Sequence, residues 1–141
     1  MATEEENMAI VRSAYEDGIN VHDVQRHIDA FAPGYVNHFA GRDLDAAAFE
    51  KIFEEFYQGF PDLKTTIMDI FASGNMVAVR HRYQGTHTGT YLVFPPTGIA
   101  VDVPAHDIYR MTDDGQIAEE WVVMDQLSML QQIGIIPKRE D

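Results

Sequence analysis

The first half of the chain has the spacing of apolar residues that amphipathic helices require. Apolar side chains recur three and four positions apart in three segments, which follow Thr3, Asp23 and Asp43. Thr and Asp are favoured N-cap residues, and Glu6, three positions after Thr3, completes a capping box. Glycine or proline interrupts the pattern after each segment, the last time at Gly59. The pattern therefore predicts three helices.

The second half of the chain alternates between apolar and polar residues, as strands with one buried face do. Two pairs of such runs are separated by short turn sequences, Ser73-Gly74-Asn75 and Thr112-Asp113-Asp114-Gly115. The predicted strands are Leu63–Phe71, Met76–Thr86, Ile99–Met111 and Gln116–Asp125, and the predicted last helix is Gln126–Ile133. Three helices followed by paired antiparallel strands predict an α+β fold.

Composition narrows the classes of function. The chain has 141 residues, of which 45% are hydrophobic, and this predicts one domain over residues 1–141 with its core at about 8–134. Acidic residues outnumber basic ones by 23 to 10, giving a net charge of −13. Such a surface repels phosphate groups, so binding to nucleic acid or to an anionic membrane is disfavoured.

Missing residue types and motifs exclude further classes. Cysteine is absent, which excludes disulfides, thiolate nucleophiles and Cys-ligated zinc. The six histidines include no HxH, HxxxH or HExxH spacing, so no metal site is predicted. The N-terminus lacks the features of a signal peptide, and no apolar run approaches the ~20 residues of a membrane helix. A soluble cytoplasmic protein is therefore expected.

Strand alternation identifies the face that would line a pocket. On the second predicted strand, Val77, Val79, His81 and Tyr83 share one face, and His87 lies at its end. This face is the predicted inner one because it carries the apolar residues. On the last two strands alternation alone leaves the inward face open, since a bulge would exchange the two faces.

Titratable side chains on the late strands suggest proton-transfer chemistry. His106 with either Glu120 or Asp125 would form an acid/base pair in an apolar pocket. Burial raises the pKa of a carboxylic acid toward neutrality, and imidazole already titrates in that range. The structural alternative is that His106 bonds a backbone carbonyl and Asp125 caps the helix that starts at Gln126.

A second polar cluster, Tyr35-Val36-Asn37-His38, follows the Pro33-Gly34 turn. It is either a pocket wall that hydrogen-bonds a substrate oxygen or a connecting segment at the sheet edge. Aromatic side chains from the helices and strands would complete an apolar wall. The candidate substrate-binding residues are Tyr15, Tyr35, Asn37, His38, Phe53, Tyr57, Val79, His87 and Trp121.

The outer face of the predicted sheet suggests self-association. Met68, Ile70, Val101, Val122 and Met124 alternate along the strands on what would be the uncovered side. Apolar area of this kind marks interfaces, so a homodimer or higher homo-oligomer is expected.

Several short motifs, in their order along the chain, resemble the SnoaL-like polyketide cyclases, which have the nuclear transport factor 2-like fold. The similarity extends from about Ile10 to Gly134. The motifs are Phe60-Pro61-Asp62-Leu63, Gly85-Thr86-His87-Thr88-Gly89, Pro95-Pro96-Thr97-Gly98, Ile108-Tyr109-Arg110, Asp114-Gly115-Gln116-Ile117, Glu119-Glu120-Trp121 with Asp125, and Gln131-Gln132-Ile133-Gly134.

The resemblance implies a cone-shaped α+β barrel in which helices and a curved antiparallel sheet enclose a deep pocket. It implies intramolecular aldol condensation of a small carbonyl substrate, without metal or cofactor, by a His and an Asp of the late strands. His106 matches that His, whereas the Asp position falls near Glu120 or Trp121. A non-catalytic small-molecule binding module and a dehydratase or hydrolase of the same fold are the alternatives.

Overall fold

A computed structural model describes residues 1–140 as four helices and six strands. The first helix continues through a π-helical turn, Ala14–Gly18, and a 3-10 turn, Ile19–Val21. The helices are α1 Glu4–Ser13, α2 Val24–Ile28, α3 Ala46–Gly59 and α4 Gln126–Gln132, and the strands are β1 Phe31–Phe39, β2 Arg42–Leu44, β3 Lys64–Ser73, β4 Met76–Thr86, β5 Ala100–Met111 and β6 Ile117–Met124. The predicted α+β class, with helices before the main strands and a short C-terminal helix, is confirmed.

The six strands form one mixed sheet in the order β2-β1-β6-β5-β4-β3, with β2 and β3 as its edges. Neighbouring strands are antiparallel except β1 and β6, which run parallel. The two predicted hairpins are confirmed, because β3 pairs with β4 and β5 pairs with β6. The sheet stays open, and the parallel pair joins the first strand of the chain to the last.

Side-chain caps fix where the helices begin. The Thr3 hydroxyl accepts from the Glu6 amide at 3.1 Å, and the Asp23 carboxylate accepts from the Arg26 amide at 3.2 Å, as predicted. The predicted cap of the third helix is wrong. Asp45, not Asp43, caps α3, since residues 42–44 pair with β1 as an edge strand before the helix starts.

The segment after the Pro33-Gly34 turn is a strand rather than a connection. Gly34 has a φ of +79°, and the pairing of β1 with β6 shifts register between Phe31 and Val36. Pro33 has no amide hydrogen to donate to a neighbouring strand, and the register shift accommodates this missing hydrogen bond. Beyond it, Tyr35 and Asn37 turn inward and are buried. These two residues therefore belong to a strand with one buried face and not to a connecting segment.

One face of the sheet is buried beneath the helices. Along β4, Val77, Val79, His81 and Tyr83 are buried, as the alternation predicted. The expected outer-face set needs correction. Val101 and Met124 are 6% and 9% exposed and belong to the core, Val122 lies on the same inward face of β6 as Met124, and Ile70 packs against the core. The large apolar side chains exposed on the outer side of the strands include Met68, Phe71, Ile108 and Val123. None of the helices within residues 1–140 is long and apolar enough to cross a bilayer.

Candidate active site

A narrow cavity lies between α3 and the inner face of the sheet. Its volume is about 30 Å³, room for about two water molecules at ~10–15 Å³ each. One wall is aromatic and apolar, formed largely by Phe49, Phe53 and Phe56 of α3. Phe39 and Ile52 are half-buried and mark the side nearest the surface. The polar groups that line the cavity are Tyr15, His27, Asn37, Tyr83, Asp107 and Glu120.

Two carboxyl groups face this cavity from adjacent strands. Asp107 of β5 and Glu120 of β6 are each 2% exposed. Glu120 lies opposite Tyr109, two residues along β5 from Asp107, so the sheet brings the two carboxyl groups to one face. Burying two acids together is costly unless hydrogen bonds or protonation compensate, so their surroundings determine what they do.

One oxygen of Asp107 is held by several partners. Tyr15 donates a short hydrogen bond to Oδ2, and the Tyr109 hydroxyl lies 3.4 Å from the same atom. His81 Nε2 lies 3.1 Å from Oδ2, an ion-pair distance, although its ring is not aligned for a hydrogen bond. Oδ1 has no hydrogen-bond partner within residues 1–140. Asp107 therefore keeps one buried oxygen for a ligand.

Thr65 and Asn20 hold the His81 ring on the side away from Asp107. Its Nδ1 lies 2.6 Å from the Thr65 hydroxyl. Asn20 fixes the Thr65 backbone, accepting from its amide at 2.7 Å and donating to its carbonyl at 2.9 Å. Asn20, which is half-buried, and the buried residues Thr65, His81 and Asp107 thus form a continuous chain of contacts that fixes the imidazole beside the carboxylate.

Glu120 has a different environment. Tyr35 donates to its Oε1 at 2.6 Å, and the Asn37 amide donates to the Tyr35 hydroxyl at 3.0 Å. Burial, and then the negative charge of Asp107, raise the pKa of Glu120 to about 8, against the opposing effect of hydrogen bonds from Tyr35 and Tyr109. Glu120 is therefore mainly protonated at pH 7, and a neutral carboxylic acid can donate a hydrogen bond.

The buried tyrosines remain hydrogen-bond donors. Burial raises the pKa of Tyr15, Tyr35, Tyr83 and Tyr109 well above the ordinary value, and the nearby carboxylates add to this effect. Their hydroxyl groups are therefore protonated over the whole physiological range, and they can hold the carboxyl groups without competing as bases.

The expected position of His106 in the pocket is wrong. Its side chain is exposed on the outer face, where it lies opposite Arg80 and Val123. The reason is the alternation of β5, in which Asp107 and Tyr109 occupy the inward positions.

Trp121 and His38 also lie outside the pocket. They are half-buried on the outer face and stack with ring centroids 5.5 Å apart. His38 bridges Asp43 at 2.8 Å and Glu119 at 2.6 Å. These two carboxylates raise the pKa of its imidazole, the hydrogen bond to Glu119 most of all.

Asp125 is exposed and accepts from the Ser128 amide at 3.0 Å. This geometry is the helix cap that the sequence left as an alternative to catalysis. Of the two candidate carboxylates, the structure brings Glu120 to the cavity and leaves Asp125 at the start of α4.

Three other candidates have packing roles. The Tyr57 hydroxyl donates to the Ile19 carbonyl at 2.9 Å, and Val79 is buried in the core. His87 is buried at the end of β4, where its Nδ1 lies 2.9 Å from the Thr97 hydroxyl and its ring stacks on Phe60. Tyr15, Asn37 and Phe53 line the cavity as expected, and Tyr35 supports it through Glu120.

Sequence reasoning missed Asp107, His81, Tyr109 and His27 as site residues. For Asp107 and Tyr109 a signal existed, because the apolar residues Val101, Val103 and Ala105 occupy the odd positions of the same strand. For His27 a signal also existed, because Val24, His27 and Ile28 share one face of the predicted second helix, although a buried His is as compatible with core packing as with a site. In the part of the chain that the structure describes, no group of three or more His, Asp or Glu side chains could hold a metal ion.

Comparison with known proteins places this chain in a family. Comparing the sequence with curated proteins gives no significant match. AclR of Streptomyces galilaeus, a candidate hydroxylase, is 26% identical with a TM-score of 0.88, over 96% of this chain and 100% of that one. IdmH of Streptomyces antibioticus, a candidate polyketide cyclase, is 28% identical with a TM-score of 0.80, over 91% of this chain and 98% of that one.

A candidate SnoaL-like polyketide cyclase from Jannaschia sp. CCS1 is also similar in structure. It is 25% identical with a TM-score of 0.82, over 97% of each chain. The sequence model of the SnoaL-like polyketide cyclases matches residues 9–133, most of the chain. The protein therefore belongs to the SnoaL-like polyketide cyclase family.

Proposed function

We propose that this protein is an enzyme that moves a proton at a carbon next to a carbonyl group, without a cofactor. Asp107 is the base and Glu120 is the acid. The observation that carries the proposal is the pair of buried carboxyl groups in one cavity, one with an unpartnered oxygen among residues 1–140 and the other with a pKa raised to about 8. A carboxylic acid whose pKa is raised toward neutrality can donate or accept a proton at pH 7, and a second buried carboxyl group beside it can take the complementary role.

The contacts of each group suit its role. Tyr15 and His81 hold Oδ2 of Asp107, which leaves Oδ1 to accept the proton from carbon. Glu120, neutral at pH 7, donates to the oxygen that becomes an enolate. The enolate carbon then attacks a second carbonyl of the same molecule, and the proton returns from the enzyme. The chemistry is an intramolecular aldol condensation or a related enolisation.

Substrate entry requires the cavity to widen. A free volume of about 30 Å³ is smaller than a ring-forming molecule, and ligand pockets are usually ~300–1,000 Å³. Phe39 and Ile52, half-buried at the surface side, are the side chains whose movement would admit a substrate. The aromatic wall of α3 would then exclude water from the enolate.

The test is deuterium exchange beside a carbonyl, followed by proton NMR in heavy water. Acetone, hydroxyacetone and ethyl levulinate serve as probes because their exchange at neutral pH is slow without a catalyst. We expect the wild-type protein to accelerate exchange, and Asp107→Asn and Glu120→Gln to lose ~10²–10⁴-fold, the usual contribution of an acid or base. His106→Ala is the matched control and should keep full activity, because His106 lies on the outer face.

Two outcomes would contradict this assignment. Exchange that survives in both carboxyl variants would mean that Asp107 and Glu120 are not the acid and base. Binding of the probes without exchange would favour the alternative of a small-molecule binding module.

A hydroxylation is the second candidate, favoured by the similarity to AclR over nearly the whole chain. It would begin with the same removal of a proton, after which the carbanion adds dioxygen and is protonated to a hydroperoxide. An added two-electron reductant, such as a thiol, would then cleave the O–O bond, leaving one oxygen as the hydroxyl group and releasing the other as water. Mass spectrometry of the product distinguishes the two reactions. Cyclisation keeps the mass or loses water, whereas hydroxylation adds one oxygen atom.

A further inference from the structure

His27 of α2 is a buried imidazole in an environment that gives it no hydrogen bonds. It is 1% exposed and lines the cavity. Within residues 1–140 neither ring nitrogen has a partner. The ring is surrounded by Tyr15, Phe31 and Phe49, at centroid distances of 5.0 to 6.1 Å. Leaving buried polar atoms unpaired costs stability, so an unpaired imidazole here points to a ligand.

The protonation state of His27 defines what it can bind. Burial lowers its pKa to about 4, against the opposing charge of Asp107. The imidazole is therefore neutral near pH 7, with one N–H donor and one nitrogen acceptor. His27 and Asp107 both line the cavity, so a ligand there meets both side chains.

Asn37 supplies the second unpaired group. Its amide nitrogen donates to Tyr35, and its Oδ1 is buried without a partner in the described chain. Oδ1 can only accept, whereas the imidazole can donate and accept. His27 and Asn37 line the same small cavity. A hydroxyl group has the chemistry that both require, because it can accept from the imidazole N–H and donate to Asn37 Oδ1. A carbonyl or ether oxygen would leave Asn37 unpaired.

We propose that His27 and Asn37 bind a hydroxyl group of the substrate, and that the substrate is therefore a hydroxylated carbonyl compound. The carbonyl half of this inference rests on the proposed function, in which Asp107 and Glu120 act beside a carbonyl. The hydroxyl half rests on the unpaired atoms of His27 and Asn37 alone. His27 is a substrate-binding residue in this scheme and transfers no proton.

The experiment compares hydroxyacetone with methoxyacetone, which has the same carbonyl but no hydroxyl hydrogen. Affinities are measured by NMR titration of the isotope-labelled protein, and the imidazole nitrogen signals of His27 are followed directly. We expect hydroxyacetone to bind the wild type about tenfold more tightly, because a missing donor leaves a buried acceptor unpaired. The His27 nitrogen signals should move with hydroxyacetone and much less with methoxyacetone.

Two variants separate binding from packing. His27→Phe should lose the preference for the hydroxyl, and His27→Gln, which keeps a donor and an acceptor, should retain part of it. His27→Phe should also raise the melting temperature by ~2–4 °C, because it removes unpaired buried atoms. Equal affinity of the wild type for the two probes, binding of neither, or an unchanged preference in His27→Phe would overturn the inference. If His27→Phe does not fold, the wild-type comparison and the Gln variant decide.

The wild type also separates this inference from the proposed function. Hydroxyl preference without deuterium exchange would support the binding role of His27 and contradict the proton-transfer proposal. Exchange without hydroxyl preference would support the proton-transfer proposal and contradict the role of His27.

Discussion

Glu119 and Glu120 are neighbours in the chain, but their carboxyl groups lie in opposite environments. Glu119 faces outward, where the hydrogen bond from His38, and then the bond and charge of Arg110, lower its pKa. Glu120 faces the cavity, where burial and Asp107 raise its pKa to about 8. The alternation of a strand alone produces this difference, since successive side chains point to opposite faces.

The raised pKa of Glu120 predicts how stability depends on pH. The pKa of the Glu120 carboxyl group is near 4.5 in the unfolded chain and about 8 in the folded protein. Folding therefore takes up a proton at pH values between these two. The stabilisation is complete below pH 4.5 and is lost as pH rises through 8. As the pH rises across this interval, the free energy of unfolding of the wild type should fall by about 1.4 kcal/mol per pH unit relative to that of Glu120→Gln.

Urea unfolding of the wild type and Glu120→Gln at a series of pH values measures this difference. Because the variant lacks only the Glu120 carboxyl, the remaining titrating groups cancel in the comparison. Parallel pH profiles for the two proteins would show that Glu120 does not have a raised pKa.

At the scale of elements, local patterns in the sequence predicted most helices and strands, but they did not predict which strands that are distant in the chain pair with each other. The alternation of β3 to β6 located both hairpins, because one buried face makes the pattern regular. The three residues of β2 gave no pattern, and Asp43 was mistaken for a helix cap. The inward face of β5 carries the apolar residues Val101, Val103 and Ala105, and His106 therefore lies on the outer face although its chemistry suggested a pocket. The parallel pairing of β1 with β6 left no local signal in the sequence.

Two substitutions of Asp125, the N-cap of α4, distinguish a structural role of this residue from a catalytic one. Asp125→Ala should destabilise the protein by about 1 kcal/mol, whereas Asp125→Asn should retain most of the stability, because Asn is also a good N-cap. Thermal unfolding measures both. Neither variant should change the rate of deuterium exchange, and a large loss of activity in Asp125→Asn would contradict the cap interpretation.

The loop between β4 and β5 is held closely against the end of α3. The Gly89 amide donates to the Gly59 carbonyl at 3.1 Å, and Tyr91 stacks on Phe56. A Cβ on residue 89 would lie 1.9 Å from the Gln58 carbonyl oxygen, so the backbone would have to move. Gly89→Ala should therefore cost about 1–3 kcal/mol by overpacking, measured by urea unfolding. Thr90→Ala, at an exposed position of the same loop, is the control, and equal stability of the two variants would contradict the prediction.

At the scale of the whole molecule, the outer face of the sheet remains the best candidate for self-association. Phe71, Ala78, Ile108 and Trp121 lie opposite one another in one row across four strands. Val123, 72% exposed, lies in the next row. A contiguous apolar row of this kind marks interfaces, although the net charge of −13 opposes association at low salt.

We propose that this face forms a homodimer. Sedimentation at micromolar concentration should show a dimer for the wild type and a monomer for Ile108→Glu, because a charge would be buried at the contact. Leu127→Glu is the control, since Leu127 is similarly exposed on α4 and lies outside the row. A monomeric wild type, or a dimer that survives in Ile108→Glu, would contradict the proposal.

The parallel pairing of β1 with β6 also has a consequence for how the protein folds. The hydrogen bond from Tyr35 to Glu120 joins residues 85 positions apart, whereas β3, β4, β5 and β6 pair with their neighbours in the chain. Closing a long loop costs entropy before its contacts form, so distant pairings form late. In refolding followed by pulsed hydrogen exchange, the amides of β4 and β5 should be protected before those of β1. The cavity would then be the last part of the molecule to assemble, and a nascent chain would lack it until residues 117–124 had left the ribosome.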